Sequence, residues 1–227
     1  RRYAEKIIRT LMAHVQDHPA IIGWQLDNET KHYDNIGRFM QEGFVRSLQE
    51  KYPDLRQLNH DFGLDYWSNR IDRWQDFPPV ENTINASLAC AFSRYQRQQV
   101  TEYLAWQAAI VREYAQPHQF VTHNFDFEWR GYSYGVQPRV DHFAAAQTLD
   151  IAGVDIYHPS QAHLTGREIA FGGAITRSLK PGQNYFVLET QAQGFAQWTP
   201  YPGQLRLQAF SHIASGAAMV SYWHWHS

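Results

Sequence analysis

Ile21-Ile22-Gly23-Trp24-Gln25-Leu26-Asp27-Asn28-Glu29 is a short apolar run that ends on three polar side chains. The apolar part reads as a buried strand of the kind found in parallel sheets. A second run has the same form: Asn184-Tyr185-Phe186-Val187-Leu188-Glu189. In a parallel α/β barrel the C-terminal ends of the strands point into the active site. Two carboxyl groups delivered there from different strands form the apparatus for cleaving a glycosidic bond.

Outward from these runs, strands and helices alternate. Residues 1–16 carry Tyr3, Ile7, Ile8, Leu11, Met12 and Val15 at helical spacing, and His18-Pro19 ends the pattern before a strand over 20–26. A helix is expected over 36–52. Residues 54–83 read as irregular and aromatic-rich, and a segment that long is usually functional. A long helix follows over 84–115. Strands are then expected over 120–124, 151–157, 185–188 and 217–223, with helices over 140–148, 162–179 and 205–215; Gly172-Gly173 weakens the helical pattern of the second. Five strands separated by helices imply a parallel sheet. A complete eightfold barrel takes about 250 residues. The expectation is therefore an α/β fold, a (β/α)8 barrel of which residues 1–227 supply about strands four to eight. Strands one to three and the segment after strand eight would lie outside it. The chain opens at Arg1 in mid-helix, as an internal piece of a longer protein would. Its ends fix neither location nor domain limits; between a cytoplasmic and a secreted setting, the cytoplasmic is the expectation.

Composition narrows the classes of function. Hydrophobic residues make up 44%, enough for a core, and the formal net charge of -2 gives no sign of a nucleic-acid or anionic-membrane partner. No run of eighteen apolar residues occurs. Cys90 is the single cysteine, which excludes an internal disulfide and a cysteine-based zinc cluster. Phosphate-binding glycine loops are absent as well. Aromatics reach 15%; most fill the core, but such rings also stack on sugar faces. Asn28-Glu29-Thr30 and Asn85-Ala86-Ser87 fit the N-glycosylation pattern, and both are read as chance matches.

A glycosidic oxygen leaves only if it is protonated as the bond breaks, so the donor must be a carboxylic acid held in a low-dielectric surround. Glu29 fits that role, and the neighbouring Asn28 is placed to hydrogen-bond a sugar 2-OH. Glu189 supplies the ionised carboxylate needed on the other face of the sugar. The alternative for each acid is structural: a strand end that caps the following helix. The pair together favours chemistry.

HPAIIGWQLDNE (18–29), LRQLNHDFGLDYWS (55–68), FVTHNF (120–125), DIAGVDIYHP (150–159), FVLETQAQGFAQWTPYPGQLRLQAF (186–210) and SGAAMVSYWHWHS (215–227) span nearly the whole chain. In these stretches and their order the chain resembles the glycoside hydrolase family 42 β-galactosidases, in the clan of retaining (β/α)8 glycosidases. The resemblance implies Glu29 as general acid/base, Glu189 as nucleophile and Asn28 as the holder of the 2-OH. It implies substrate contacts from Trp198, Trp67 and Tyr157. Trp223 and Trp225 occupy alternate positions on the last strand, so both could face inward. Barrel packing is the competing account of each aromatic. The family's cysteine cluster for zinc has no counterpart in His32-Tyr33-Asp34-Asn35-Ile36-Gly37, so no metal is expected there, and His32, Asp34 and His60 read as surface residues. An arginine and a glutamate of the family's galactose subsite would fall outside this chain.

The resulting expectation is an exo-acting hydrolase that releases terminal β-D-galactose through a covalent galactosyl-enzyme, without cofactor. Its substrate partners would be β-galactosides or galacto-oligosaccharides, and the resemblance implies a homotrimer. An α-L-arabinopyranosidase, a β-fucosidase or another β-glycosidase keeps the chemistry and changes the sugar. A sugar-binding barrel without catalysis changes the class.

Overall fold

The computed structural model describes residues 1–128, 136–157, 166–192 and 200–224. In chain order its elements are α1 (Arg2–Val15), β1 (Gly23–Gln25), α2 (Arg38–Lys51), α3 (Leu55–Phe62), α4 (Ala86–Arg112), β2 (Phe120–Thr122), β3 (Asn124–Asp126), α5 (His142–Ala146), β4 (Gly153–Asp155), α6 (Arg167–Leu179), β5 (Tyr185–Glu189), α7 (Gln204–Ala214) and β6 (Ala217–Val220). The chain divides into two compact units, residues 1–30 with 101–227 and residues 31–100.

The first unit holds all six strands found among the described residues, and every described pairing is parallel. β1 pairs with β2, and β3, β4, β5 and β6 follow one another in a second sheet. The strand expected over 120–124 is thus two short ones that meet at His123 and serve different neighbours. Counted as one run, they leave the five strands read from the sequence. The last strand is shorter than expected, ending at Val220, although Trp223 still forms a parallel bridge with Gln191.

The helix-facing side of the second sheet is apolar: Val154, Ile156, Tyr185 and Val187 are at most 1% exposed. Each such aliphatic side chain contributes about 1.5–3 kcal/mol by leaving water. α6 packs close on this layer. A side chain at Gly172 would meet Ile156 and Phe127, and one at Gly173 would meet the Tyr185 hydroxyl. The glycine pair that weakens the helical pattern therefore permits close helix–sheet packing. β1 is fastened by Gln119, whose side chain accepts from the Trp24 indole at 2.9 Å and donates to the Ile21 carbonyl at 3.0 Å.

Between β4 and β5 the register slips. Val154 pairs with Val187, but Asp155 pairs with Glu189, leaving Leu188 as an extra residue. Side chains alternate along a strand, so an unbroken β5 would set Leu188 beside Asp155 and turn Glu189 to the helix side. The bulge returns Glu189 to the face of Asp155, and bulges of this kind recur beside active sites.

The second unit has its own core of Phe44, Leu48, Leu58, Leu64, Ile71, Val80, Leu88 and Phe92. Phe44 meets Phe92 and Phe77 edge-on at 5.2 and 6.1 Å. Contrary to the irregular reading of 54–83, α3 lies within it. Asp54 caps α3 by accepting from the Arg56 amide, and Gly63 ends it at φ 62. From within α3, buried Asn59 clamps Ile71 through both main-chain groups, donating to the carbonyl at 2.7 Å and accepting from the amide at 2.9 Å. Asn85 caps α4, its carbonyl oxygen accepting from the Leu88 amide at 2.8 Å and its amide donating to the Phe62 carbonyl at 3.1 Å. Among the described residues, no helix is long and apolar enough to cross a membrane.

Candidate active site

Polar side chains of the first unit cluster just after β1, at the start of β3 and at the ends of β4 and β5. One carboxylate oxygen from each of Glu29, Asp155 and Glu189 lies within 4.8 Å of the other two. Among the described residues this is the one set of three acidic, histidine or cysteine side chains that converges closely enough to hold a cation. His32, Asp34 and His60 do not converge. The His32 Nδ1 accepts from the Asp34 amide at 3.0 Å, while exposed His60 lies 3.2 Å from Asp61.

Glu29 reaches the cluster on a tight turn with left-handed backbone at Asp27 (φ 47) and Glu29 (φ 43). Such angles are costly for residues with side chains and persist only where the surroundings impose them. His123 does so here. Fully buried, it approaches the Leu26 carbonyl with Nδ1 at 2.6 Å and the Thr30 amide with Nε2 at 3.2 Å, bracketing the turn. The amide must donate, so Nε2 accepts and Nδ1 carries the proton. Burial holds this imidazole's pKa below its ordinary value, which favours the same neutral form.

Asn124, at the start of β3, links the members of the cluster. Its carbonyl oxygen accepts from the Gln25 side chain at 3.0 Å and from the Glu29 amide at 3.2 Å. Its amide nitrogen donates to Asp155 at 2.7 Å, to the Asn28 side-chain oxygen at 2.9 Å and to Glu189 at 3.3 Å. Two hydrogens serve three oxygens, so the bond to Glu189 is the loosest. The other Glu189 oxygen accepts from the Tyr157 hydroxyl at 2.9 Å. Burial, then the Glu189 contact, raises the Tyr157 pKa well above the ordinary phenol range, so it stays a donor.

Asp155 is 2% exposed, and its Oδ1 is buried with no hydrogen-bond partner among the described residues. Burial, with Glu189 and Glu29 as nearby negative charges, pushes its pKa up to about 9. The carboxyl is therefore neutral at neutral pH.

The structure thus brings together four of the residues singled out in the sequence: Asn28, Glu29, Tyr157 and Glu189. Trp67 belongs to the second unit, where it is 71% exposed, has φ 53 and stacks on Tyr66 at 5.2 Å. Trp223 is 57% exposed and packs edge-on against His224. Trp198 and Trp225 lie outside the described residues. Sequence reasoning passed over Asn124, Asp155 and His123. Asp155 stands inside the apolar run Ile151–Tyr157 and Asn124 follows Thr122-His123, so neither closes an apolar run as the glutamates do.

The whole chain, residues 1–227, matches the family model of glycoside hydrolase family 42, described as β-galactosidase. It is 29% identical to a β-galactosidase of Haloferax lucentense over 99% of this chain and 36% of that protein. It is 30% identical to a β-galactosidase of Thermus thermophilus, over 99% of this chain and 37% of that protein. The chain therefore spans about a third of the length of these curated relatives. The solved β-galactosidase of Halorubrum lacusprofundi superimposes with a TM-score of 0.84 at 24% identity, over 99% of this chain and 36% of that one. With such neighbours, the parallel strands and intervening helices are part of a (β/α)8 barrel. The chain belongs to glycoside hydrolase family 42.

Proposed function

We propose that the protein is a retaining exo-β-galactosidase, with residues 1–227 supplying strands four to eight of its catalytic barrel. The observation that carries this reading is the convergence of Glu29 and Glu189 from different strands, with one oxygen of each carboxyl within 4.8 Å of one oxygen of the other, an approach that favours the closer of two known spacings. Inverting enzymes hold their carboxyl groups about 6.5–9.5 Å apart to admit a water between sugar and base, whereas retaining ones use about 5–5.5 Å. The sugar is taken from the relatives, which are named β-galactosidases.

In this mechanism Glu189 attacks the anomeric carbon. Tyr157 and Asn124, each donating to a different Glu189 oxygen, fix the plane of the carboxylate. Glu29 passes its proton to the departing oxygen, and a covalent galactosyl-enzyme forms. Glu29 then takes a proton from water, which releases galactose with retained configuration. Because the Asn28 side-chain oxygen already accepts from Asn124, its amide remains to donate to the sugar 2-OH. Trp198, Trp67 and Trp223 are proposed as further sugar contacts.

The test is turnover of nitrophenyl β-D-galactoside, α-L-arabinopyranoside and β-D-fucoside by the full-length protein. Galactoside should be preferred, and the first-formed sugar should be the β-anomer by NMR. Replacement of Glu189 by Ala should lower kcat at least a thousandfold; turnover within tenfold of wild type would remove Glu189 as the nucleophile.

A further inference from the structure

We propose that Asp155 is a positioning residue: a neutral carboxylic acid that seats the Asn124 amide and, through it, sets the geometry between Asn28 and Glu189. This rests on the glycosidase reading of the same cluster.

The argument starts from Asn124. Its nitrogen must supply three oxygens on three different strand ends, and the shortest of those bonds, 2.7 Å, goes to Asp155. An amide with its carbonyl oxygen held by Gln25 and the Glu29 amide can still rotate its nitrogen toward or away from Glu189. The Asp155 bond decides that angle. Asp155 is itself placed by the strand: Val154 and Ile156 on either side are buried in the apolar layer, and the bulge at Leu188 brings Glu189 alongside.

The protonation state follows from the neighbours. The ionisable groups acting on Asp155 are Glu189, Glu29 and Asp126. Asp155 in turn acts on Tyr157. A third negative charge beside two catalytic carboxyls would disfavour the ionised nucleophile that double displacement requires. A buried Oδ1 without a partner is tolerable as part of a neutral acid and costly as part of an anion. Neutral Asp155 thus offers Asn124 a carbonyl-type acceptor and leaves the cluster's negative charge to Glu189.

The test uses the full-length protein and the glycoside that the wild type cleaves. Asp155→Ala should lower kcat about a hundredfold with KM changed less than threefold. Asp155→Asn keeps a neutral acceptor of the same shape and should recover at least a tenth of wild-type kcat. Asn124→Ala should lose as much as Asp155→Ala, and the double variant should be no worse than Asn124→Ala alone. The acid limb of the kcat/KM profile should move to higher pH in Asp155→Ala and return in Asp155→Asn. A loss in Asp155→Asn as deep as in Asp155→Ala would overturn the proposal, because a charge would then be required. Additive losses in the double variant would overturn the route through Asn124. Should Asp155→Ala fail to fold, Asp155→Asn and Asn124→Ala decide the matter by the same criteria. If the wild type prefers another glycoside, the galactoside reading falls while these ratios still judge Asp155. If it cleaves none, both fall.

Discussion

Replacing Asp155 by Asn should make the protein more stable, and increasingly so as the pH rises. The Asp155 carboxyl is pushed from an ordinary 3.8 up to about 9 by burial and by Glu189 and Glu29. Between those two values the folded chain binds a proton that the unfolded chain releases. Stability therefore falls as pH rises through that window, by up to about 1.4 kcal/mol per pH unit, and levels off above about pH 9. At pH 7 the accumulated cost is roughly 4 kcal/mol relative to a group that does not titrate. Asn at position 155 has no proton to release and escapes that slope. Other consequences of the substitution, such as packing and the exchange of a hydroxyl for an amide, do not depend on pH. The difference between pH values thus isolates the titration. Urea unfolding of wild type and variant at pH 5 and pH 7 should show the variant's advantage growing by about 2–3 kcal/mol. That corresponds to a midpoint shift of about 1 M for a slope near 2–3 kcal/mol/M. Parallel stability profiles across this range would refute the protonated Asp155, whatever the absolute stabilities.

Tyr157→Phe removes a hydrogen bond to a charged acceptor, of about 1.5–3 kcal/mol, and should lower kcat about ten- to a hundredfold with little change in KM; steady-state kinetics on a nitrophenyl galactoside would measure it. Asn59→Ala leaves the Ile71 amide and carbonyl unpaired in the second core and should destabilise that unit by about 2–4 kcal/mol, read as a lowered urea midpoint with tryptophan fluorescence as the probe. Gly63→Ala places a side chain at φ 62 and should cost about 1 kcal/mol, seen as a drop of a few degrees or less in thermal midpoint.

The order of strands and helices was legible because apolar runs and helical spacing are local properties. Glu29 and Glu189 stood out for the same reason, each closing an apolar run. Other features depend on partners far along the chain. Asn124 gains its role from contacts with Asn28, Asp155 and Glu189, which become neighbours only once the strand register is set. Asp155 lies within the quoted stretch at 150–159, yet its neutrality comes from burial against two acids, which no spacing reveals. His123 interrupts an apolar run that sequence reads as continuous, and the ties that make it break there go to residues 26 and 30. α3 is a different case. Asp54 and Gly63 are ordinary start and stop signals, but the aromatic density of the surrounding segment drew it toward an irregular reading.

The extra residue at Leu188 also bears on building such a site elsewhere. An idealised parallel sheet carrying the same amino acids in the same order would present leucine where Glu189, the proposed nucleophile, now stands. A designer transplanting the proposed catalytic acids would have to transplant the backbone irregularity with them, since here an imperfection in the hydrogen-bond ladder sets which face Glu189 occupies.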